Sequence, residues 1–422
     1  MSAPDDRSLR SSPSPTPFVA RVLAWWSRRG SAVLSWAAAL MALAALVWLS
    51  YQTWRLLWQP PPKGAIDLRL RLTETQALFA GQAVYRAIET ASYPPASMAM
   101  LWPILSWPSL PTARWLWALL TTGALVWMVR TVVHDSGAAS RAERRLAMLL
   151  PLATYATGAA TGNGQFTVPV LACLLASLPI LLREDRPLLL ALAALGFVVA
   201  LVKPSLAAPF FWMVLFRPKG PLPAIAIVAI YLGLTAVTGL VQPDGAVQLS
   251  LQFLSVTQDN SAWGAAHHGH ANLHSWLAAV GRPAWNAPGS LLVLGLLGVW
   301  TWRHRRADPW LLMSAAAFAA RFWTYHGWYD DLLLLVPAIA LFRIAKQGTT
   351  DGQKVWAGSL LAAMVLSTLP PGGLYLLPPP WNRVYVGAQV VVWLTACAFL
   401  LRATKRPPVA NGQRSASSAP QQ

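Results

Sequence analysis

The chain has 422 residues, of which 55% are hydrophobic and 11% are charged, and its formal net charge is +18. A soluble domain normally carries about a quarter charged residues, so this composition excludes an ordinary soluble protein. Most basic residues fall in loops on one side of the predicted spans, so the charge indicates membrane orientation and not a nucleic-acid partner. Cys173 and Cys397 both lie within predicted spans, which argues against a disulfide and against a metal site.

In chain order, the apolar segments predict an all-α polytopic membrane protein of about twelve crossings, with both termini in the cytoplasm. Residues 31–403 form the single predicted transmembrane domain, and residues 1–30 and 404–422 are predicted to be disordered cytoplasmic tails. The N-terminus is not expected to be a cleaved signal, because about thirty polar residues precede the first span. The predicted spans are about 31–51, 114–133, 147–161, 166–182, 187–202, 205–217, 221–241, 289–302, 307–323, 329–344, 354–369 and 384–402.

The apolar segment Ala96–Pro108 is too short to cross a membrane comfortably and contains Pro103. If it crossed, the loop that carries Arg141 would lie outside, against the tendency of basic loops to stay in the cytoplasm. We therefore predict that this segment lies at the outer interface. The first outer loop is then 52–113 and the long outer loop is 242–288, and the polar, non-helical residues are expected to concentrate on this face.

The first outer loop carries an acidic, Arg-rich segment that begins at Asp67. A carboxylate beside a membrane-facing pocket can act as a general base towards a hydroxyl group, or it can pair with a nearby arginine. Glu74 has the same ambiguity, because it follows Arg69 by five residues and Arg71 by three and could pair along a short helix. The sequence leaves both interpretations open.

Lys203 stands alone at the outer end of a predicted span, against the charge bias, and is followed by Pro204, which interrupts the helix. A lone cation at this depth suits the phosphate of a lipid headgroup. It could equally be a lysine that extends to the interface from a helix end.

The segment Arg321–Asp331 combines aromatic residues with His326, Asp330 and Asp331. Aromatic residues alone would indicate an interfacial belt, but a belt does not require two adjacent acids and a histidine. The acids could bind sugar hydroxyls, hold a divalent cation or cap the following helix. A cation is permitted but not required, so no cofactor is predicted.

The segment Trp263–His274 holds four of the seven histidines. It lacks a nearby cysteine and the H-E-x-x-H arrangement, so a structural turn or a substrate-lining loop is favoured over a metal site. The chain has no P-loop and no dinucleotide fingerprint, and no large cytoplasmic domain is predicted that could bind a nucleotide-activated donor. A transferase of this kind would take its donor from the membrane.

The order of several short motifs resembles that of the polyprenyl-phosphate-dependent glycosyltransferases of family 87, over roughly residues 67–343. The motifs are I-D at 66–67, Gly81, Tyr85, Y-P-P at 93–95, G-N-G-Q at 162–165, V-K-P-S at 202–205 and Y-H-x-W-Y-D-D at 325–331. The resemblance implies a GT-C-like helical bundle with interfacial helices in the first outer loop. The segment that follows Asp67 is richer in arginine than is usual in the family.

The resemblance also implies a reaction. A mannose-like hexose would pass from a polyprenyl phosphate to a glycolipid or cell-envelope glycan, on the outer face of a bacterial inner membrane. Asp67 would be the general base of an inverting transfer, and Lys203, with Arg69 or Arg71, would stabilise the leaving phosphate. The other implied substrate-binding residues are Glu74, Tyr85, Tyr93, Gln165, His326, Asp330 and Asp331.

Two alternatives remain at this stage. An O-antigen ligase or polymerase would place its main loop late in the chain, and His267, His268 or Arg282 would then matter more than Asp67. A transporter or lipid flippase would carry charges within its spans and show related halves, whereas these spans hold almost no acids and no internal repeat is evident.

Overall fold

The computed structural model describes residues 17–268, 271–369 and 377–404, without the side chains of 259–268. Within these ranges every regular element is helical and no strand occurs. The first helices are α1 Pro17–Leu57, α2 Ile66–Phe79, α3 Val84–Ala87, α4 Pro95–Leu105, α5 Leu110–Asp135, α6 Arg141–Leu149, α7 Tyr155–Asn163, α8 Thr167–Arg183, α9 Pro187–Ala200 and α10 Pro204–Ala207. The later helices are α11 Phe211–Leu215, α12 Leu222–Leu240, α13 Gly245–His268, α14 Leu273–Ala279, α15 Asn286–Arg303, α16 Pro309–Phe322, α17 Leu335–Gln347, α18 Asp351–Thr368 and α19 Trp381–Ala403. Short 3-10 turns occupy 208–210, 283–285 and 328–334.

Four helices, α1, α5, α12 and α19, are long and apolar enough to cross a membrane. Two bent helix pairs could add a crossing each: α7 with α8, at 115°, and α9 with 204–215, at 119°. The most apolar window of α1 is only 17% buried within the protein, as expected for a lipid-facing surface. The chain is thus a helical membrane protein, but the predicted twelve crossings are not confirmed, because several predicted spans are short helices that meet at sharp bends.

Helix α1 has 41 residues, so it is about 60 Å long, twice the thickness of a membrane's hydrocarbon core. It begins at Pro17, and the prediction of a disordered tail was therefore wrong for residues 17–30. Proline is favoured in the first turn of a helix, and the alanine, leucine and arginine residues that follow are good helix formers. Residues 1–16 and 405–422 of the predicted tails lie outside the described residues.

The first outer loop contains two substantial helices, α2 and α4, and α4 packs against α2 and α12. Helix α4 has eleven residues, about 16 Å, which is too short to cross. The long outer loop was expected to be non-helical, and this expectation was wrong for most of it, since α13 and α14 lie there. The histidine-rich segment therefore begins as the end of a helix and not as a turn.

Candidate active site

A sharp break between α7 and α8 places Gln165 beside the start of α2. Gly164 ends α7 with a φ of 69°, a left-handed conformation that glycine adopts readily. A Cβ atom at this position would lie 2.5 Å from the Cβ atom of Leu68. The G-N-G-Q motif thus permits a close approach of this turn to the residue that follows Asp67.

The second break, between α9 and α10, carries Lys203 at its corner. The Lys203 Nζ atom lies 2.6 Å from Asp330 Oδ1 and 3.4 Å from Gln165 Oε1. The ammonium group also lies 4.8 Å from the centre of the Tyr329 ring, within the range of a cation–π contact. The lysine side chain is 12% exposed. Its charge is therefore compensated inside the protein, and it does not extend freely to the interface.

Asp330 is the most connected acid of the site. It accepts a hydrogen bond of 2.7 Å from Thr167 Oγ1, and its second oxygen lies 3.0 Å from His326 Nδ1. Both Asp330 and His326 are 2% exposed, and among the described residues the Nε2 atom of His326 has no hydrogen-bond partner. One interpretation of the sequence was that Asp330 caps the following helix. The structure contradicts this, because the N-cap position of that helix is Leu334.

The neighbouring Asp331 has different partners and faces another part of the bundle. It forms a buried ion pair with Arg321 and accepts a hydrogen bond from the Tyr155 hydroxyl. Arg321 also donates to the Ala271 carbonyl over 3.0 Å, and Gln389 donates to the Tyr155 hydroxyl over 3.2 Å. Asp331 therefore ties α7, α16 and α19 together behind the site.

Asp67 lies in the first turn of α2, just after Ala65, whose φ of 48° is unusual for a residue other than glycine. Burial raises the pKa of Asp67, and the positive charges of Arg71 and Lys203 oppose this rise. The Gln165 side chain also lies close enough to lower the pKa of the Asp67 carboxyl group. A carboxyl group with a raised pKa is a better proton acceptor than an ordinary aspartate.

Arg71 and Glu74 form the pair that their spacing along a helix had suggested. Arg71 Nη1 lies 2.6 Å from Glu74 Oε2, and the two side chains are 4% and 0% exposed. The guanidinium group of Arg71 also covers the Tyr93 ring at 4.2 Å. Burial raises the pKa of Glu74 to about 7. The pair closes one side of the site, next to Asp67.

Two predicted residues lie away from this cluster. The Tyr85 hydroxyl donates to the carbonyl oxygen of Tyr93 over 2.5 Å, which makes it a support for the Y-P-P segment. Arg69 interacts electrostatically with Arg114 near the end of α1. The structure thus brings Asp67, Gln165, Lys203, Asp330 and His326 together, with Arg71 and Tyr93 at the edge.

Sequence reasoning missed three residues that hold this cluster in place: Thr167, Tyr155 and Arg321. The first two are ordinary polar residues in apolar helices, and no local pattern distinguishes them. Arg321 is the first residue of the aromatic segment Arg321–Asp331, but its partner, Asp331, is ten residues away. Among the residues whose side chains are described, no group of three or more His, Cys, Asp or Glu residues could hold a metal ion. His267, His268 and His270 lie outside them.

Comparison with known protein families finds that residues 91–325 match the sequence profile of glycosyltransferase family 87. The matched region is more than half of the chain and includes Tyr93, Gln165 and Lys203. Asp67 precedes it and His326 directly follows it. Asp67 lies near the matched residues Gln165 and Lys203, and His326 contacts Asp330, which itself binds the matched residues Thr167 and Lys203. The chain matches no curated protein and no solved structure.

Proposed function

Since the chain belongs to glycosyltransferase family 87 and is a membrane glycosyltransferase, we propose that it transfers a mannose-like hexose from a polyprenyl phosphate to a glycolipid or cell-envelope glycan. A membrane-borne donor is consistent with the lack of a nucleotide-binding motif in the sequence. The observation that carries the proposal is the position of Asp67, which lies close enough to Gln165 and to the Lys203 ammonium group for both to lower its pKa. Lys203 Nζ itself lies 3.4 Å from Gln165 Oε1. A proton acceptor thus adjoins a cation at a break between helices.

In the proposed reaction, Asp67 removes the proton from an acceptor hydroxyl group as its oxygen attacks the anomeric carbon. The bond between that carbon and the phosphate oxygen breaks, and polyprenyl phosphate leaves with the bonding electrons. One displacement of this kind inverts the anomeric configuration. The raised pKa of Asp67 supports its role as the base.

Lys203 is proposed to stabilise the phosphate as negative charge develops on it. The ion pair with Asp330 holds the ammonium group in position before the donor enters. Gln165, which contacts Lys203 and lowers the pKa of Asp67, is proposed to keep the base and the cation at a fixed separation. His326 and Asp330 are proposed to contact the sugar, and Arg71 to stabilise the ionised carboxylate of Asp67.

The proposed architecture is a GT-C-like bundle in a bacterial inner membrane, with α2 and α4 at the outer interface, the site on the outer face and both termini in the cytoplasm. The single membrane domain is proposed to end at about residue 403. Membership of a glycosyltransferase family favours this function over the transporter and the ligase-type enzyme. The short α4 and the buried contacts between α4 and α2 support the interfacial placement.

The test uses the purified protein in liposomes supplied with polyprenyl-phosphate mannose, glucose or arabinose and an acceptor lipid extract. Turnover of the wild type is compared with that of Asp67→Asn, and a melting curve checks that the variant is folded. Asp244→Asn is the matched control, because Asp244 pairs with the exposed Arg86 away from the site.

We expect Asp67→Asn to lose a factor of about 10²–10⁴ in turnover, the usual contribution of a general base, and the control to keep its activity. The product of the wild type should have the anomeric configuration opposite to that of the donor. Equal turnover of the variant and the wild type would remove Asp67 as the base. Failure of all three donors would contradict the proposed donor class.

A further inference from the structure

Four basic residues gather where α1 ends. Arg55 Nε donates to the Lys63 carbonyl over 3.1 Å. Arg114, at the start of α5, donates to the carbonyl oxygens of Leu57, the last residue of α1, and of Gln59. Arg69 on α2 interacts with Arg114 as a like charge. We call Arg55, Lys63, Arg69 and Arg114 the cationic patch.

The positive charges of the patch are only partly balanced by acceptors and acids among the described residues. Arg114 is 7% exposed, and its Nε atom has no hydrogen-bond partner among the described residues. No hydrogen bond or ion pair of the Arg69 side chain is seen there either, and Lys63 is exposed. Asp67 acts electrostatically on one member of the patch, Arg55. Holding like charges together costs free energy, and a bound anion would remove that cost.

The patch also borders the lipid-facing surface of the protein. Trp54, Trp58 and Trp115 are 47%, 57% and 53% exposed. The rings of Trp58 and Trp115 meet edge to face at 5.7 Å, next to Arg114, and Trp54 adjoins Arg55 in the chain. Both α1 and α5 are among the helices long and apolar enough to cross a membrane. An anion bound here would therefore have apolar and aromatic surface directly beside it, on the membrane side.

We propose that the cationic patch is a docking site for the phosphate group of a long-chain lipid phosphate, with Trp54, Trp58 and Trp115 in contact with the start of its chain. This inference rests on the proposed function and locates where the lipid substrate first binds. Lys203 has a different part, at the departing phosphate in the catalytic cluster, where Asp330 holds its ammonium group in place at 2.6 Å. The charge of Asp67 acts on Arg55, so the patch lies near the catalytic cluster.

The test measures binding of radiolabelled undecaprenyl phosphate to the full-length protein in nanodiscs, without any sugar donor. The variants are Arg69→Gln and Lys63→Gln, singly and combined, because neither side chain supports a helix end. Arg86→Gln is the matched control, since it removes one positive charge from an exposed residue that pairs with Asp244. Undecaprenol, phosphatidylglycerol and inorganic phosphate are the comparison ligands.

We expect each patch variant to weaken undecaprenyl phosphate binding by about tenfold, as for the loss of one charge-assisted contact, and the control to bind like the wild type. Undecaprenol should bind weakly and equally to all variants. Unchanged binding of undecaprenyl phosphate to the combined variant would overturn the proposal. So would equal competition by phosphatidylglycerol or inorganic phosphate, which would indicate a general anion surface.

Turnover separates this inference from the proposed function. If a polyprenyl-phosphate sugar is turned over, the patch variants should raise KM about tenfold and leave kcat within about twofold, because docking precedes the chemical step. If no donor is turned over while patch-dependent binding persists, the proposed function fails and the docking site stands. If turnover and binding are both insensitive to the patch variants, the docking site alone fails.

Discussion

The Lys203–Asp330 pair offers the sharpest test of how the site is held together. The two side chains are 12% and 2% exposed, so Lys203→Met leaves a carboxylate in a place that water barely reaches. Removing one partner of a buried ion pair costs about 3–5 kcal/mol of folding free energy. Hydrogen bonds from Thr167 and His326 remain, so we expect the lower end, about 3 kcal/mol.

Asp330→Asn should cost a similar amount, because it leaves the ammonium group without its counter-ion. The double variant leaves neither charge, and we expect it to be at least about 2 kcal/mol more stable than the sum of the two single effects predicts. Reversible unfolding in mixed SDS micelles measures all four proteins. Strictly additive losses would refute a buried, coupled pair.

Activity should follow a different pattern from stability in the same four proteins. Every variant that lacks the lysine loses the cation proposed to stabilise the leaving phosphate, and we expect turnover to fall about 10²–10³-fold. The double variant should therefore recover stability without recovering turnover. A double variant that recovers both would show that Lys203 acts only as a structural partner of Asp330.

Two further predictions concern groups beside the site. Since burial raises the pKa of Glu74 from 4.5 to about 7, the folded state holds this proton more tightly than the unfolded chain does. The contribution of Glu74 to the free energy of unfolding should therefore be complete below about pH 4.5 and should fall as the pH rises towards 7. Glu74→Gln should remove this fall in denaturation curves measured across that range. Identical pH profiles of the variant and the wild type would contradict this prediction. Gly164→Ala must place a Cβ atom 2.5 Å from Leu68 in a left-handed backbone, so we expect about 1–3 kcal/mol of destabilisation and lower turnover. Gly295→Ala, where no atom lies within 4 Å, is the control, and equal stability of the two variants would refute the close approach.

The membrane class of the protein could be predicted from composition, because apolar runs near the length of a span leave few alternatives. The number of crossings could not be counted in this way. A run interrupted at Gly164 or at Pro204 reads as two short spans, whereas the folded chain bends by 115° and 119° there. The angle depends on what the two halves pack against, which no local pattern contains.

The class of the protein and the breaks at G-N-G-Q and V-K-P-S could be predicted from composition and from local backbone preferences. The pairing of Arg71 with Glu74 was one of two interpretations that the sequence left open, and the structure shows it. The tertiary structure was needed to show that Asp67, Gln165, Lys203 and Asp330 lie together. It was also needed to show that Asp330 and Asp331 belong to different hydrogen-bond networks, and that basic residues from α1, α2 and α5 lie close to one another. The contacts of Asp330 with Thr167 and Lys203 join residues more than a hundred positions apart in the chain. Their geometry depends on helix packing, which is a property of the whole bundle.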